Sequence, residues 1–253
     1  MTEAGGALYV YGVLSAAERE SLSVVGVEGA PVGTVESSGL AALTSPVEGD
    51  ALAAAREVRA HWRVLQEAAE SATVLPVRFG TVLESEQAVR EQLLDPNAAR
   101  LVDLLERLKG CVQLTVKGQY DEQALLKQVL ATSPSIAALG ERVRSMPAQA
   151  AYYDRIRLGE LVAGEIQRQR EADTQRALEM LAPAARAASV EKSSAADSAF
   201  DLSFLVPRGG QRSFDERVTA LSDELGERVE VRYVGPLPPY SFAEDNLEAI
   251  GAV

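Results

Sequence analysis

Two hydrophobic rhythms divide this chain into elements. "ALYVYGVL" (7–14) is apolar on both faces and rich in β-formers, which predicts a central strand. "VGTVES" (32–37) and "LAALTSPV" (40–47) follow as shorter strands around Ser38-Gly39, a tight-turn pair. Asp50 then caps a helix on which Leu52, Ala55, Val58, Trp62, Leu65 and Ala69 recur every three to four positions as one apolar stripe. "TVLPVRFGTVL" (73–83) returns to strand character, with Pro76 restricted to an edge or a bulge because it cannot donate to a ladder. Asp95-Pro96 reads as a cap plus first-turn proline. Gly110 closes that helix, and Leu101, Leu104, Leu105 and Leu108 face one way.

Beyond Gly110 the period drops to two. Val112, Leu114 and Val116 alternate with Gln113, Thr115 and Lys117. Leu202, Phe204 and Val206 flank Asp201 and Ser203, and Val229, Val231 and Tyr233 flank Glu230 and Arg232. Three such strands, each with one polar face, predict an antiparallel sheet covered by helices on one side. Ser213 and Glu216 have capping-box spacing ahead of Val218, Leu221 and Leu225, with Gly226 as the stop. Residues 148–181 read as one long helix or two, ending before Pro183, and 185–199, small and polar, as a flexible connection. The order predicts an α+β chain of two domains, each an antiparallel sheet with helices packed on one side. The second half is ferredoxin-like and the first a modified version of it. The expected boundaries are 1–110, 111–235 including the long helix, and 236–253 for a proline-rich segment and acidic tail.

Composition narrows the function. Apolar residues make up 47% of the 253, enough for real cores, while the formal charge of −12 disfavours nucleic acid and anionic membrane as partners. No run approaches the ~20 apolar residues of a membrane span. "MTEAGGALYVYGV" lacks the basic leader of a secretory signal, so a cytoplasmic location is the expectation. Cys111 is the single cysteine and reads as a buried strand thiol. His61 is the single histidine, so no two-histidine metal site forms within one chain. Beside Trp62 it reads as a packed or hydrogen-bonded histidine between helix and sheet. The motifs of zinc proteases, serine hydrolases and P-loops are missing. No catalytic residue, cofactor site or metal site is assigned.

Three stretches remain as candidates. "VPRGGQRSF" (206–214) places two glycines, Arg208 and Arg212 before a helix N-terminus. It can be read as a plain turn, or as an anion site of a regulatory or catalytic domain that binds a small anionic metabolite. "AAYYDRIRLGELVAGEI" (150–166) sets Tyr152, Tyr153, Asp154 and Arg155 beside Gly159, Ala163 and Gly164. Those glycines cost helix stability unless something packs closely on them, either within the chain or from another chain. "YVGPLPPYSF" (233–242) ends a strand with Pro236, Pro238 and Pro239, a stiff strip whose apolar anchors are Tyr240 and Phe242. It either packs back on its own chain or is presented to a partner. Packing back is favoured, because exposed apolar strips aggregate.

"YVYGV" (9–13), "VLPVRFGTV" (74–82), "YYDRIRLGE" (152–160) and "YVGPLPPYSF" occur in an order and spacing that resemble the gas vesicle protein F/L family (GvpF/GvpL) across nearly the whole chain. The resemblance implies a two-domain α+β protein with a C-terminal tail and a non-enzymatic role in building gas vesicles. It implies an assembly factor or minor component, located in gas vesicle and cytoplasm. The implied partners are the small hydrophobic main shell protein and other gas vesicle accessory proteins. Tyr152, Tyr153, Arg155, Pro236, Pro238, Pro239, Tyr240 and Phe242 are the expected contact residues.

Overall fold

A computed structural model describes residues 6–19, 21–48, 55–147, 149–193 and 195–243. The chain folds as two compact units, Met1–Gln113 with Gly235–Val253, and Leu114–Val234. Both sheets are antiparallel and packed with helices, an α+β architecture.

The first unit is built on β1 (Leu8–Ser15), β2 (Gly33–Ser37), β3 (Leu40–Pro46), α1 (Ala55–Ser71), β4 (Val74–Pro76) and β5 (Val82–Leu83). The sheet order is β2-β3-β1-β4, and β5 also pairs with β1. β1 is central, and Tyr9 through Val13, glycine apart, is fully buried. The β2–β3 hairpin closes where expected. Ser38 and Gly39 take φ of 52° and 77°, the double left-handed geometry of a two-residue turn.

"TVLPVRFGTVL" is two strands rather than one. β4 stops at Pro76, opposite Gly12, and the chain turns through Gly80 (φ 94°) before β5 rejoins β1. Pro76 therefore ends a short strand beside β1, where no further ladder donor is asked of it.

The helical period of α1 is as expected but its phase is not. Its buried residues are Glu57, Ala60, His61, Val64, Leu65 and Ala68, while Val58 is exposed. Glu57 is buried because its carboxylate accepts the backbone N–H of Glu28 (2.9 Å) and pairs with Arg56, which holds its pKa below the usual carboxylate range. Asp50 and Leu52 lie outside the described residues. Next come α2 (Glu86–Ala88), capped by Ser85, a wider helical turn over Val89–Leu94, and α3 (Ala98–Leu108). Leu101, Leu104, Leu105 and Leu108 are buried on one face of α3. Asn97, not Asp95, is its N-cap residue. The Asp95 carboxylate instead accepts the hydroxyls of Ser37 and Ser38 (2.7 Å from Ser38), tying this segment to the hairpin turn.

The second sheet takes β6 (Cys111–Tyr120), β7 (Ala187–Val190), β8 (Ser198–Pro207) and β9 (Val229–Leu237) in the order β7-β8-β6-β9. The helices are α4 (Glu122–Thr132), α5 (Pro134–Ser145), α6 (Tyr152–Leu181) and α7 (Gln211–Leu225). Three helices fill the first crossover of this β-α-β-β-α-β order. β7 replaces the expected flexible connection: Ala187, Ala188, Ser189 and Val190 pair antiparallel with Leu205 back to Leu202. The polar face of β6 is also covered, since Thr115 and Ser203 are both buried and share a hydrogen bond of 3.2 Å. α7 begins at Gln211, which puts Ser213 inside the helix; the predicted capping box does not form. Gly226 (φ 58°) ends it.

Candidate functional site

In the first unit the structure gathers an aromatic cluster around His61. Tyr9 on β1 accepts the Gly80 N–H (3.0 Å), and its hydroxyl shares a hydrogen bond with His61 Nδ1 (2.8 Å). His61 Nε2 shares a second one with the Tyr240 hydroxyl (3.1 Å). Phe79 meets both Tyr9 and His61 edge-on, and Trp62 lies 5.9 Å from the Tyr240 ring. Burial lowers the His61 pKa to about 4 and pushes the Tyr9 hydroxyl up. The imidazole is neutral with both nitrogens engaged. That arrangement holds a chain segment in place and leaves no lone pair for proton transfer.

The segment it holds is the proline strip. Pro238 and Pro239 are buried, Tyr240 and Phe242 are half-buried, and Ala243 is fully buried. Gln113 grips it from the end of the first unit's main run: its side-chain carbonyl accepts the Ser241 N–H (3.0 Å) and its amide donates to Ser241 Oγ (3.1 Å). Pro236, by contrast, is exposed at the end of β9.

In the second unit the C-terminal half of α6 is fixed by Asp173. Its carboxylate accepts both terminal nitrogens of Arg228 (2.8 Å to Nη2), the Tyr120 hydroxyl (2.7 Å) and Gln169 (3.2 Å). Burial and the adjacent carboxylate raise the Tyr120 pKa. Beside this clamp lies a cleft of about 470 Å³ lined by Gln119, Asp121, Glu227, Glu230 and Arg232 among others, with Arg232 spent on Glu230 (3.0 Å).

The N-terminal half of α6 is different. Leu158 packs with Leu139, Val143 and Met146, and Arg142 grips Asp154 through two bonds (2.6 and 3.1 Å), so α5 covers one side. The other side is bare. Tyr153 is 82% exposed, Tyr152 60% and Ile156 47%, with Arg155 exposed beside them. A Cβ added at Gly159 or Gly164 would meet nothing within 4 Å. Close packing within the chain is therefore not why these glycines are there; both are exposed.

The 206–214 turn is a short helical turn, Arg208–Gly210, leading into α7. Arg212 is exposed and pairs along α7 with Glu216 (3.4 Å). Among the described residues no group of three or more His, Cys, Asp and Glu side chains is placed to hold a metal ion, and no helix is long and apolar enough to cross a membrane.

Sequence reasoning placed His61 between helix and sheet, but its tyrosine partners were not foreseen. Tyr9 and Tyr240 are separated from it by 52 and 179 positions, and no local pattern links them. The Tyr120–Asp173–Arg228 clamp was missed for the same reason.

Comparison with known proteins gives one consistent result. Residues 7–244 match the family described as gas vesicle synthesis protein GvpL/GvpF. Gas vesicle protein F of Streptomyces sp. (strain CB03234) is 32% identical over 93% of this chain and 99% of its own length, and that of Microcystis aeruginosa 27% over 94% and 98%. The crystal structure of GvpF from Anabaena sp. PCC7120 superposes with a TM-score of 0.84 at 26% identity, covering 94% of this chain and 98% of the other. GvpF from Microcystis aeruginosa superposes at 0.79 and 25% identity, covering 94% and 99%. With its sequence and both sheets matched over nearly their full extent, this chain belongs to the GvpL/GvpF family of gas vesicle proteins.

Proposed function

We propose that the protein is a non-enzymatic accessory or minor structural component of gas vesicle formation, which binds the small hydrophobic main shell protein during nucleation or assembly. Other gas vesicle accessory proteins are its further partners, and it works in the cytoplasm and at the gas vesicle. The observation that carries this reading is the family match from residue 7 to residue 244. Two physical features support it. The net charge of −12 keeps a complex with a greasy subunit in solution, and the start of α6 offers Tyr152, Tyr153 and Arg155 on an open face. The proline strip plays an internal part, since Pro238, Pro239, Tyr240 and Phe242 are committed to the first unit.

The test is genetic. Cells lacking this chain and its paralogues are expected to make shell protein but no mature vesicles, and re-expression restores them. Normal vesicles in the deletion strain overturn the reading.

A further inference from the structure

β9 borders β6 on one side and no strand on the other, and from Glu230 to Val234 only Val231 is half-buried. The Arg228 carbonyl accepts the Asp121 N–H at the end of β6 (3.0 Å), and Val229 is extended (φ −131°, ψ 115°). Peptide groups alternate in direction along an extended chain. Glu230, Arg232 and Val234 therefore turn theirs toward β6, while Val229, Val231 and Tyr233 turn theirs outward. Among the described residues, no turn, loop or second strand bonds to those outward groups. The side chains alternate as well. Val229, Val231 and Tyr233 share the face on which Tyr233 stacks on Phe214 (6.0 Å) and donates to Asp215 (2.7 Å). Glu230 and Arg232 stand together on the other face, 3.0 Å apart and both exposed. Edge strands ordinarily carry charge that keeps other copies away. This one carries one charge of each sign on either side of Val231, and its proline, Pro236, lies beyond them.

From this pattern we infer that β9 pairs antiparallel with β9 of a second copy, about a two-fold axis through Val231, joining the two sheets into one. In that register Val231 lies opposite its own counterpart, and Val229 of each copy lies opposite Tyr233 of the other. These are the residues whose peptide groups point outward, so the pairs exchange about six N–H···O=C bonds. Glu230 of each copy stands opposite Arg232 of the other, at the closely spaced position where cross-strand side chains interact most strongly. Moving the axis by one residue sets Glu230 against Glu230 or Arg232 against Arg232. Moving it to Tyr233 puts Arg232 opposite Val234 and Glu230 opposite Pro236, and both charges lose their partners. Charge and backbone direction thus select the same register. The pairing uses none of the residues assigned to shell-protein contact, and either interaction can fail without the other.

The test is sedimentation equilibrium of the purified full chain from about 10 μM to about 1 mM. The average mass is expected to rise from 27.0 kDa toward twice that value. Glu230→Arg sets arginine against arginine, and Arg232→Glu sets glutamate against glutamate. Each variant alone is expected to dimerise about tenfold more weakly than the parent. An equimolar mixture of the two restores opposite charges in both pairs, and is expected to recover to within about threefold of the parent. Val231→Pro removes an outward N–H that β6 does not use, and is expected to abolish the dimer. Both charged positions are exposed, and circular dichroism verifies that each variant is folded. A monomer at every concentration, single variants that dimerise like the parent, or a mixture no more dimeric than its components each overturns the inference. So does a folded Val231→Pro protein that still dimerises.

Discussion

Gln113 and Ser241, 128 positions apart, exchange two hydrogen bonds, the amide of one side chain satisfying the hydroxyl and the backbone of the other residue. Together with His61 and Tyr240 they turn the proline strip into a strap across the first unit's core. Tyr240 packs there against the cluster of Tyr9, Tyr11, Val64 and Leu65. Replacing Tyr240 and Phe242 together by alanine is expected to destabilise the protein by about 2 kcal/mol, or roughly 5 °C in Tm. Gln113→Ala removes both hydrogen bonds to Ser241 and is expected to cost about 1 kcal/mol. Scanning fluorimetry of the three proteins checks this; unchanged melting in the double variant would mean that the strap is not a structural part.

Acid sensitivity follows from His61. Its folded pKa of about 4 lies below its ordinary value of 6.5, so the proton is bound preferentially by the unfolded chain. Stability is full above pH 6.5 and falls as pH drops toward 4, by about 3 kcal/mol in total. Glu57 acts in a lower window: its pKa is depressed, so its contribution is lost only as pH falls below 4.5. The interval from pH 6.5 to 4.5 therefore isolates the histidine. Urea melts across that interval should show a slope that disappears in His61→Gln; the same slope in that variant would assign it elsewhere.

The clamp at Asp173 should be costly to break. Asp173→Ala leaves the Arg228 guanidinium and the Tyr120 hydroxyl without their carboxylate in a nearly closed site, an expected loss of about 3 kcal/mol. Hydrogen exchange should then accelerate in the C-terminal half of α6. The α5–α6 contact, held by Arg142 and Asp154, should keep its protection.

A backbone contact sets a further prediction. A Cβ at Gly12 would come 2.8 Å from the Leu75 carbonyl oxygen and 2.9 Å from both Leu65 and Val74 side chains, at a bulge of β1. Since a carbonyl in a paired strand cannot yield as a side-chain tip can, Gly12→Ala is expected to destabilise by about 2–3 kcal/mol in a denaturant titration. Gly159→Ala, on the open face of α6, should instead stabilise slightly.

What the sequence made legible was local. The Ser38-Gly39 turn, the leucine face of α3 and the glycine stops at Gly110 and Gly226 each follow from neighbours a few positions apart. α1 was misphased because its buried line runs through Glu57. Polarity alone places that residue on the outside, and only the Glu28 backbone N–H, from a distant segment, brings it in. β7 was hidden by its small, polar composition, because a strand whose ladder partner is β8 needs no apolar face to be specified. The candidate residues behaved in the same way. Tyr152 and Tyr153 were recognisable as an unusual pair, but that their face is open, while Tyr240's is closed, depends on which elements lie nearby.

The proposed role rests on binding a hydrophobic shell subunit without chemistry, and a single mixing experiment addresses it. Freshly dissolved main shell protein is diluted with and without this chain while light scattering is followed, and the mixture is then passed through a gel-filtration column. A delay in aggregation that grows with the amount of chain added, together with co-elution of both proteins, is the predicted result. Aggregation at an unchanged rate and separate elution would contradict it.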